Sequence, residues 1–168
     1  MTIGNLRPAT VLIDETAILH NVQHEVARLK KQTQLFAVVK ADAYGHGMLR
    51  VAHVAKAAGA SGFCVALLDE ALDLRAANYT EPVLVLGIVP SQYAAIAAAQ
   101  TVSLPLSSVD WLKQALPVLE AQPELPPLRL HIALDTGMGR IGFTDDQTLL
   151  DAVAFIQAHP KAFTIEGI

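Results

Sequence analysis

The sequence predicts an α/β protein built as an incomplete (β/α)8 TIM-type barrel, with about six βα units of parallel strands, preceded by an N-terminal strand and helix. Apolar runs of strand length alternate with helical patterns along all 168 residues. Two runs, at 36–39 and 83–86, are apolar on both faces, which is typical of parallel strands covered by helices. The alternation also fits a doubly wound sheet, and we favour the barrel because the chain ends in a strand.

The first elements have local causes. An apolar run at 10–13 predicts the N-terminal strand, and Asp14 can cap a helix whose apolar residues recur at helical spacing. A second apolar run, at 35–39, predicts the first barrel strand. It ends in a stretch rich in glycine and polar residues, 40–47, which predicts a loop.

The remaining elements follow in the same order of strand and helix. Further strands are predicted at 62–67, 82–86, 101–104, 128–134 and 163–168. Helices are predicted at 48–58, 69–77, 92–99, from Ser107 or Ser108 to the residue before Pro117, and at 145–158. Gly59 and Asn78 suit left-handed helix ends. Ser91 is the expected cap of the 92–99 helix, and Thr144 with Gln147 forms a capping box for the last helix.

Composition excludes several classes of protein. The chain has 12 Lys and Arg against 16 Asp and Glu, a formal net charge of −4, and no long basic run, so we expect no nucleic-acid partner. No apolar run approaches the ~18 residues of a membrane span, and the start lacks the apolar core of a signal peptide. The single Cys64 makes a disulfide framework impossible and predicts a reducing compartment, the cytoplasm.

The length suggests an incomplete domain. About six βα units fall short of the eight that close a barrel, and such barrels typically have ~250 residues. The last residues, 163–168, resemble a strand that stops before its following loop. We therefore expect this chain to be a fragment of a longer protein. Its hydrophobic fraction of 52% then includes side chains that would contact the absent parts.

Lys40 directly follows an apolar strand, at the end where α/β folds bind ligands. Partial desolvation there favours the neutral amine that Schiff-base chemistry needs. A solvated lysine at a strand end is the alternative, and the following residues favour a ligand site. Tyr44 offers a hydroxyl, and Gly-His-Gly at 45–47 leads into a helix N-terminus, a natural seat for a phosphate. A carbonyl cofactor with a phosphate group would use both.

The segment 135–142, Asp-Thr-Gly-Met-Gly-Arg-Ile-Gly, also follows a predicted strand. Its glycines match the dinucleotide fingerprint G-x-G-x-x-G, and Glu166 follows at about the spacing of the fingerprint's acidic residue. Two features disfavour a dinucleotide site. Gly142 precedes the predicted helix, and the segment comes after at least four earlier units. We favour a flexible loop that aims the Arg140 guanidinium at an anionic oxygen.

Other candidates have simpler explanations. His20 and His24 have the spacing of a metal pair on a helix, but no third ligand is apparent, so we expect a solvated helix face and no metal site. Cys64 lies within an apolar strand and is expected in the core. The carboxylates that begin the 69–77 helix suit the positive end of its dipole; they belong to Asp69, Glu70 and Asp73.

Four segments together resemble the N-terminal part of the alanine racemases. They are AVVKADAYGHG at 37–47, LLDEA at 67–71, VLVLG at 83–87 and DTGMGRIG at 135–142. The resemblance runs in order from residue 7 to residue 168, and the lysine segment is its most specific part. It implies that residues 1–168 are a truncated N-terminal barrel domain that binds pyridoxal phosphate, without the remaining barrel strands and the C-terminal β domain.

The resemblance also implies an isomerase, an alanine racemase that interconverts L-alanine and D-alanine through a pyridoxal 5′-phosphate aldimine on Lys40 and supplies D-alanine for peptidoglycan. Lys40 would act on one face of the substrate Cα, and a tyrosine of the partner subunit's C-terminal domain on the other. Tyr44 would line the phosphate end of the cofactor. Arg140 would bind the cofactor's phenolic oxygen and the substrate carboxylate. The full-length protein would be a homodimer, and the fragment alone inactive.

One departure from the family precedes the glycine-rich segment. Many members carry a lysine there that becomes carbamylated and orients the arginine, whereas this chain has Ala133. We expect either another group to hold Arg140 or a less rigid guanidinium. The resemblance also implies that the first strand, 10–13, joins the absent domain. The alternative to a racemase is a non-catalytic carrier, a barrel that binds pyridoxal phosphate on its lysine without an opposing base.

Overall fold

The computed structural model describes residues 8–168, which form one parallel β-sheet with connecting helices. Each strand pairs with the strand that follows it in the chain. A doubly wound sheet reverses its strand order at a switch point, whereas a barrel does not. The incomplete barrel is therefore confirmed, and its six strands are β1 Phe36–Val38, β2 Gly62–Val65, β3 Val83–Val85, β4 Val102–Leu106, β5 Leu128–Ile132 and β6 Phe163–Gly167.

The helices alternate with these strands as the sequence predicts, except α2, which lies where the sequence predicted a loop. Their bounds are α1 Glu15–Arg28, α2 Lys40–Gly45, α3 Met48–Ala57, α4 Leu68–Ala76, α5 Ala94–Ala99, α6 Val109–Glu120 and α7 Asp146–Ala158. A 3-10 turn, Ser91–Tyr93, leads into α5. Within the part of the chain that the structure describes, no helix is both long and apolar enough to span a membrane.

Several predicted helix ends are confirmed. The Asp14 carboxylate accepts the N–H groups of Thr16 at 2.9 Å and Ala17 at 3.1 Å, which begins α1. Asn78, with φ of 65°, follows α4 in the left-handed conformation, and Gly59, with φ of 106°, follows α3. At each of these helix ends, some backbone N–H or C=O groups lack partners within the helix, and these residues help to satisfy them.

The core lies between the sheet and the helices. Alternate residues of the strands are completely buried on this side, including Phe63, Val83, Leu104 and Leu130. Alanines of α5 fill part of the helix layer, and their small size lets the helix approach the sheet closely. This packing fixes the strands, and with them the loops at their carboxyl ends.

The opposite side of the sheet, which faces the barrel interior, carries a polar cluster. The buried Ser103 hydroxyl donates to the Glu166 carboxylate, which also lies 3.2 Å from Arg129 Nη1 and 3.4 Å from His131 Nε2. Glu166 therefore has partners inside the barrel.

The N-terminal strand predicted at 10–13 is wrong. These residues form no strand, and the side chains of Val11 and Leu12 are 83% and 89% exposed. A strand needs a neighbouring strand for its backbone hydrogen bonds, and none lies beside this segment within residues 8–168. Its apolar run therefore stays uncovered.

The helix predicted to end before Pro117 continues through it to Glu120. Proline removes one backbone hydrogen bond, which costs a helix interior ~3 kcal/mol. The next turn offsets this cost because it places Leu119 in the core, with 5% of its surface exposed.

Two predicted caps are also wrong. Ser91 does not cap α5: it starts the 3-10 turn, and its hydroxyl donates to the Gln114 side chain at 3.2 Å. Thr144 does not cap α7, because Asp145 takes that position and accepts the Thr148 N–H at 2.9 Å. A carboxylate is the stronger acceptor at a helix N-terminus, where the dipole also favours its charge.

Candidate active site

The chain passes through a left-handed helical turn directly after β1. Ala41, Asp42, Ala43 and Tyr44, here called the left-handed turn, have φ values between 51° and 56° where the sequence predicted a loop. Each non-glycine residue in this conformation costs roughly 1–2 kcal/mol relative to the right-handed helix. Four such residues in succession persist only if other contacts hold them.

Backbone hydrogen bonds and burial hold the left-handed turn from both sides. The Ala43 N–H donates to the Val39 carbonyl at 2.9 Å, and the Gly47 N–H donates to the Asp42 carbonyl at 2.9 Å. Val39 is completely buried, and Ala43 is 5% exposed. The Asp42 carboxylate also accepts the Met48 N–H at 2.8 Å and so begins α3.

Glu70 joins the left-handed turn to the neighbouring loop. Its Oε1 accepts the Ala41 N–H at 2.6 Å, and its Oε2 accepts the N–H groups of Ala66 at 2.7 Å and Leu67 at 3.1 Å. The sequence interpretation assigned Glu70 only to the helix dipole. The bond from Glu70 to the Leu67 N–H can be predicted from sequence, because a glutamate three residues after an N-cap can reach back to the N-cap backbone. The contact to Ala41 had no such signal.

Lys40 and Tyr44 lie at the two ends of this region. Lys40 is half-buried, and within residues 8–168 no hydrogen bond or ion pair engages its Nζ. The Tyr44 side chain is 64% exposed. The α3 N-terminus, predicted to seat a phosphate, already carries the Asp42 carboxylate on the Met48 N–H. One of the N–H groups at this helix end is therefore already paired, and the roles of Tyr44 and of the helix N-terminus at a phosphate stay predictions.

A loop over 134–143 follows β5 and is pinched at its base. The Asp135 N–H donates to the Phe143 carbonyl at 3.0 Å, and the Phe143 N–H donates to the Ala133 carbonyl at 2.8 Å. A Cβ on Gly142 would lie 2.4 Å from the Asp135 nitrogen, so the close approach requires glycine. Gly142 lies outside α7, as predicted, which removes the helix packing that a dinucleotide fingerprint needs from its third glycine.

Asp135 organises the tip of this loop. Its Oδ1 accepts the N–H groups of Gly139 at 2.9 Å and Gly137 at 3.0 Å. These bonds, that of Gly139 foremost, lower the pKa of the exposed Asp135 carboxyl below its ordinary value of 3.8. Arg140 follows directly and is exposed. Because Ala133 has no polar side chain, the loop that carries Arg140 is shaped by the Asp135 carboxylate.

The predicted site residues share one end of the sheet. Lys40 and Tyr44 lie after β1, and Arg140 lies after β5, all beyond the carboxyl ends of parallel strands. Within the described residues no hydrogen bond or ion pair joins Lys40 to Arg140. The structure therefore places Lys40 and Tyr44 in the segment after β1, with Lys40 directly before the left-handed turn and Tyr44 at its end, and leaves Arg140 on a separate loop.

The remaining candidates lie elsewhere. The rings of His20 and His24 stack on α1 with centroids 6.5 Å apart, and no three metal-ligating side chains converge within residues 8–168. Cys64 is 8% exposed in β2, where burial raises the pKa of its thiol, so its predicted place in the core is confirmed. A cavity of about 410 Å³ lies between the ends of α6 and α7 and the linker before β5, away from Lys40.

Fold and site together define a class of protein: a parallel β/α barrel with a lysine at the end of one strand and an arginine on a glycine-rich loop at the same end. Residues 13–168 match the family described as "Alanine racemase, N-terminal domain". The chain belongs to this family, as its four characteristic segments predicted.

Related proteins show the extent of the match. The chain is 85% identical over its 168 residues to a protein named alanine racemase from Lacticaseibacillus casei, and it covers 44% of that protein. It superposes on the crystal structure of alanine racemase from E. faecalis with a TM-score of 0.92 at 47% identity, covering all of this chain and 45% of that one. A histidine racemase from Leuconostoc mesenteroides matches with a TM-score of 0.80 at 35% identity, covering 88% of this chain and 39% of that one. The chain thus spans less than half the length of these proteins.

Proposed function

We propose that residues 1–168 are the N-terminal, pyridoxal-phosphate-binding part of an amino-acid racemase that interconverts L-alanine and D-alanine and supplies D-alanine for peptidoglycan. The observation that carries the proposal is the placement of Lys40. Its amine lies without a protein partner among the described residues, at the carboxyl end of a barrel strand and directly before a turn held in a costly conformation. Strain of this kind concentrates at functional sites.

The chemistry of the donor set fits pyridoxal phosphate. Lys40 supplies an amine for the aldehyde, Tyr44 a hydroxyl for an anionic oxygen, and Arg140 a guanidinium for the phenolic oxygen or a carboxylate. When bound, the cofactor supplies an electron-withdrawing ring that makes the Cα proton of an amino acid acidic. Each of these three side chains therefore carries the functional group that its proposed role requires.

Each residue of the chain then has a separate task. Lys40 would hold the cofactor through its amine, and its Nζ, when free, would carry the Cα proton on one face of the substrate. Arg140 binds the substrate carboxylate, and a guanidinium can do so with two parallel hydrogen bonds. The pinched loop limits where Arg140 can lie, because Asp135 ties the loop backbone in two places.

Racemisation needs a second acid or base on the opposite face of Cα, because one amine returns the proton only to the face from which it came. We assign that group to a part of the full-length protein outside this chain, in the partner subunit of a homodimer. The isolated chain is then inactive. We also place the protein in the cytoplasm, in keeping with a single buried cysteine.

Alanine is proposed as the substrate from the name of the relative that is 85% identical. The histidine racemase with the same fold indicates that this part of the barrel is compatible with a larger side chain. Substrate choice then depends on residues elsewhere in the full-length protein. Both amino acids therefore belong in the test.

The experiment combines attachment and turnover. The full-length protein is treated with pyridoxal phosphate and borohydride, and peptide mapping should place the label on Lys40. Lys40→Ala should abolish it, whereas the exposed Lys30→Ala should not. The full-length protein should form D-alanine from L-alanine, and the 168-residue chain should not.

Four outcomes would contradict parts of the proposal. Label on another lysine would remove Lys40 from the site. Turnover by the isolated chain would show that the second acid or base lies within it. Label on Lys40 without turnover of alanine by the full-length protein would favour the carrier, and turnover of histidine alone would correct the substrate.

A further inference from the structure

We propose that Glu70 is a positioning residue for Lys40. Its carboxylate fastens the peptide group that follows Lys40 to the start of α4, and this fixes the direction in which the Lys40 side chain leaves the sheet. The inference rests on the proposed function of Lys40. It adds a residue whose effect on that function passes entirely through the backbone.

The geometry is a bridge between two loops. Glu70 Oε1 accepts the Ala41 N–H at 2.6 Å, while Oε2 accepts the Ala66 N–H at 2.7 Å and the Leu67 N–H at 3.1 Å. Hydrogen bonds to an ionised carboxylate are roughly twice as strong as neutral ones. Three of them converge on this side chain, one from the β1 side and two from the β2 side.

The bridge acts on the N–H of Ala41, which the backbone hydrogen bonds of the left-handed turn do not use. Those backbone hydrogen bonds include the ones from the N–H groups of Ala43, His46 and Gly47, and none of these involves the N–H of Ala41. Ala41 is exposed, so water could pair its N–H if Glu70 were removed. Water satisfies the group without fixing its place, and the strain of the turn then favours relaxation of the peptide next to Lys40.

A carboxylate is needed because N–H donors lie on both sides. Glutamine has the same size but only one acceptor oxygen, so its NH2 group would face the N–H of Ala41 or those of Ala66 and Leu67. Aspartate keeps both oxygens but is one methylene shorter, so it cannot reach both loops in the same way. Glu70→Gln and Glu70→Asp therefore weaken the bridge for different reasons.

Asp69 provides a matched control. It precedes Glu70 in the first turn of α4, it is exposed, and within the described residues its carboxylate accepts no hydrogen bond. Asp69→Asn removes the same charge from the same helix end as Glu70→Gln. Effects of the helix dipole are therefore common to both variants, and only the bridge differs.

The test uses the full-length protein in four forms: unchanged, Asp69→Asn, Glu70→Gln and Glu70→Asp. Three measurements are made: the rate at which borohydride fixes a pyridoxyl label on Lys40, hydrogen exchange of the Ala41 amide, and steady-state kinetics that give kcat and KM for alanine. In Glu70→Gln and Glu70→Asp we expect labelling of Lys40 to be about tenfold slower and hydrogen exchange at Ala41 to be faster. We expect kcat to fall by about 10- to 100-fold, because a misplacement of a reacting group by about 1 Å lowers the rate by up to about 100-fold. KM should change less than about threefold. Asp69→Asn should match the unchanged protein in all three.

The outcomes separate this inference from the function on which it rests. If the unchanged protein acquires no label on Lys40, the proposed function fails. If Lys40 is labelled in the unchanged protein, and the labelling rates of Glu70→Gln and Asp69→Asn are equal, the positioning role is overturned. If Glu70→Gln does not fold, Glu70→Asp decides, because its charge and both oxygens remain. An unchanged labelling rate and unchanged Ala41 exchange in Glu70→Asp would equally reject the bridge.

Discussion

The Asp135 carboxylate accepts the backbone N–H of Gly139 at 2.9 Å, four residues further along the chain, and this bond curls the loop that carries Arg140. The same oxygen accepts the Gly137 N–H at 3.0 Å. Ala133, two residues before Asp135, offers the arginine no polar side chain. Orientation of Arg140 thus depends on the loop backbone and on Asp135.

Replacing Arg140 by alanine in the full-length protein should lower kcat/KM for alanine by about 100- to 1000-fold. Loss of one positioned donor to a reacting anion has this magnitude in other enzymes. Steady-state racemisation is the measurement, and Arg28→Ala, at an exposed site on α1, is the control. An unchanged rate in Arg140→Ala would exclude Arg140 from the site.

The Asp135 loop should lose its order only in acid. Hydrogen bonds from Gly139 and Gly137 lower the pKa of Asp135 below 3.8, so the folded carboxyl titrates at a lower pH than the unfolded one. The stability that the ionised carboxylate gives the folded loop is complete above the pKa of the unfolded state, and it is lost as pH falls through the lowered pKa of the folded state. Amide chemical shifts of Gly137 and Gly139 should report a transition below pH 3.8. Asp135→Asn should remove that transition, and a midpoint above the ordinary value would contradict the assignment.

Gly142→Ala should destabilise the protein more than Gly137→Ala. Both glycines have positive φ values, 124° and 127°, so alanine is strained at either position. A Cβ at Gly142 meets backbone of Asp135 and Leu134 at 2.4 and 2.6 Å, whereas a Cβ at Gly137 meets nothing within 4 Å. We expect a loss of about 1–2 kcal/mol for Gly137→Ala, from strain alone, and a larger one for Gly142→Ala. Denaturant unfolding of the two variants measures the difference, and equal losses would refute the pinch.

Lys56→Ala should cost about 1–2 kcal/mol of unfolding free energy, because it leaves the Glu81 carboxylate without its cation. The Glu81 side chain is 16% exposed, and its pairing with Lys56 is the main cause of its lowered pKa. Lys113→Ala is the matched control, since its pair with Asp110 is exposed and should contribute no more than about 0.5 kcal/mol. Similar losses in both variants would show that burial of Glu81 has no effect.

The same pair predicts a pH dependence. The pKa of Glu81 is lowered from 4.5, so the stabilisation is complete above that ordinary value and is lost as pH falls through the lowered one. Thermal unfolding of the unchanged protein should therefore weaken more steeply in acid than that of Lys56→Ala. Parallel pH profiles of the two proteins would contradict the pairing.

Predictions from local pattern succeeded where the cause was local. Apolar runs located all six barrel strands, and Asp14, Gly59 and Asn78 marked helix ends because their effect extends over one turn only. The place of Lys40 directly after a strand could also be predicted, because it depends on an apolar run that lies next to Lys40 in the chain. The predicted cap at Thr144 failed by one residue, since the neighbouring Asp145 offers a charged acceptor for the same backbone group.

Failures occurred where burial or a distant partner outweighed the local pattern. The apolar run at 10–13 has strand character but no neighbouring strand within residues 8–168. Pro117 should end a helix, and the burial of Leu119 carries the helix past it. Neither outcome can be read from the residues nearby.

The sequence alone was sufficient for the order of strands and helices, for the lysine after β1 and for the glycine-rich loop before α7, because each depends on residues that are adjacent in the chain. The choice of a barrel over a doubly wound sheet came from the pairing of each strand with its successor. The bridge from Glu70 to Ala41 likewise joins residues 29 positions apart. Such contacts exist only when parallel strands bring their carboxyl ends together, so they belong to the folded chain and not to any segment of it.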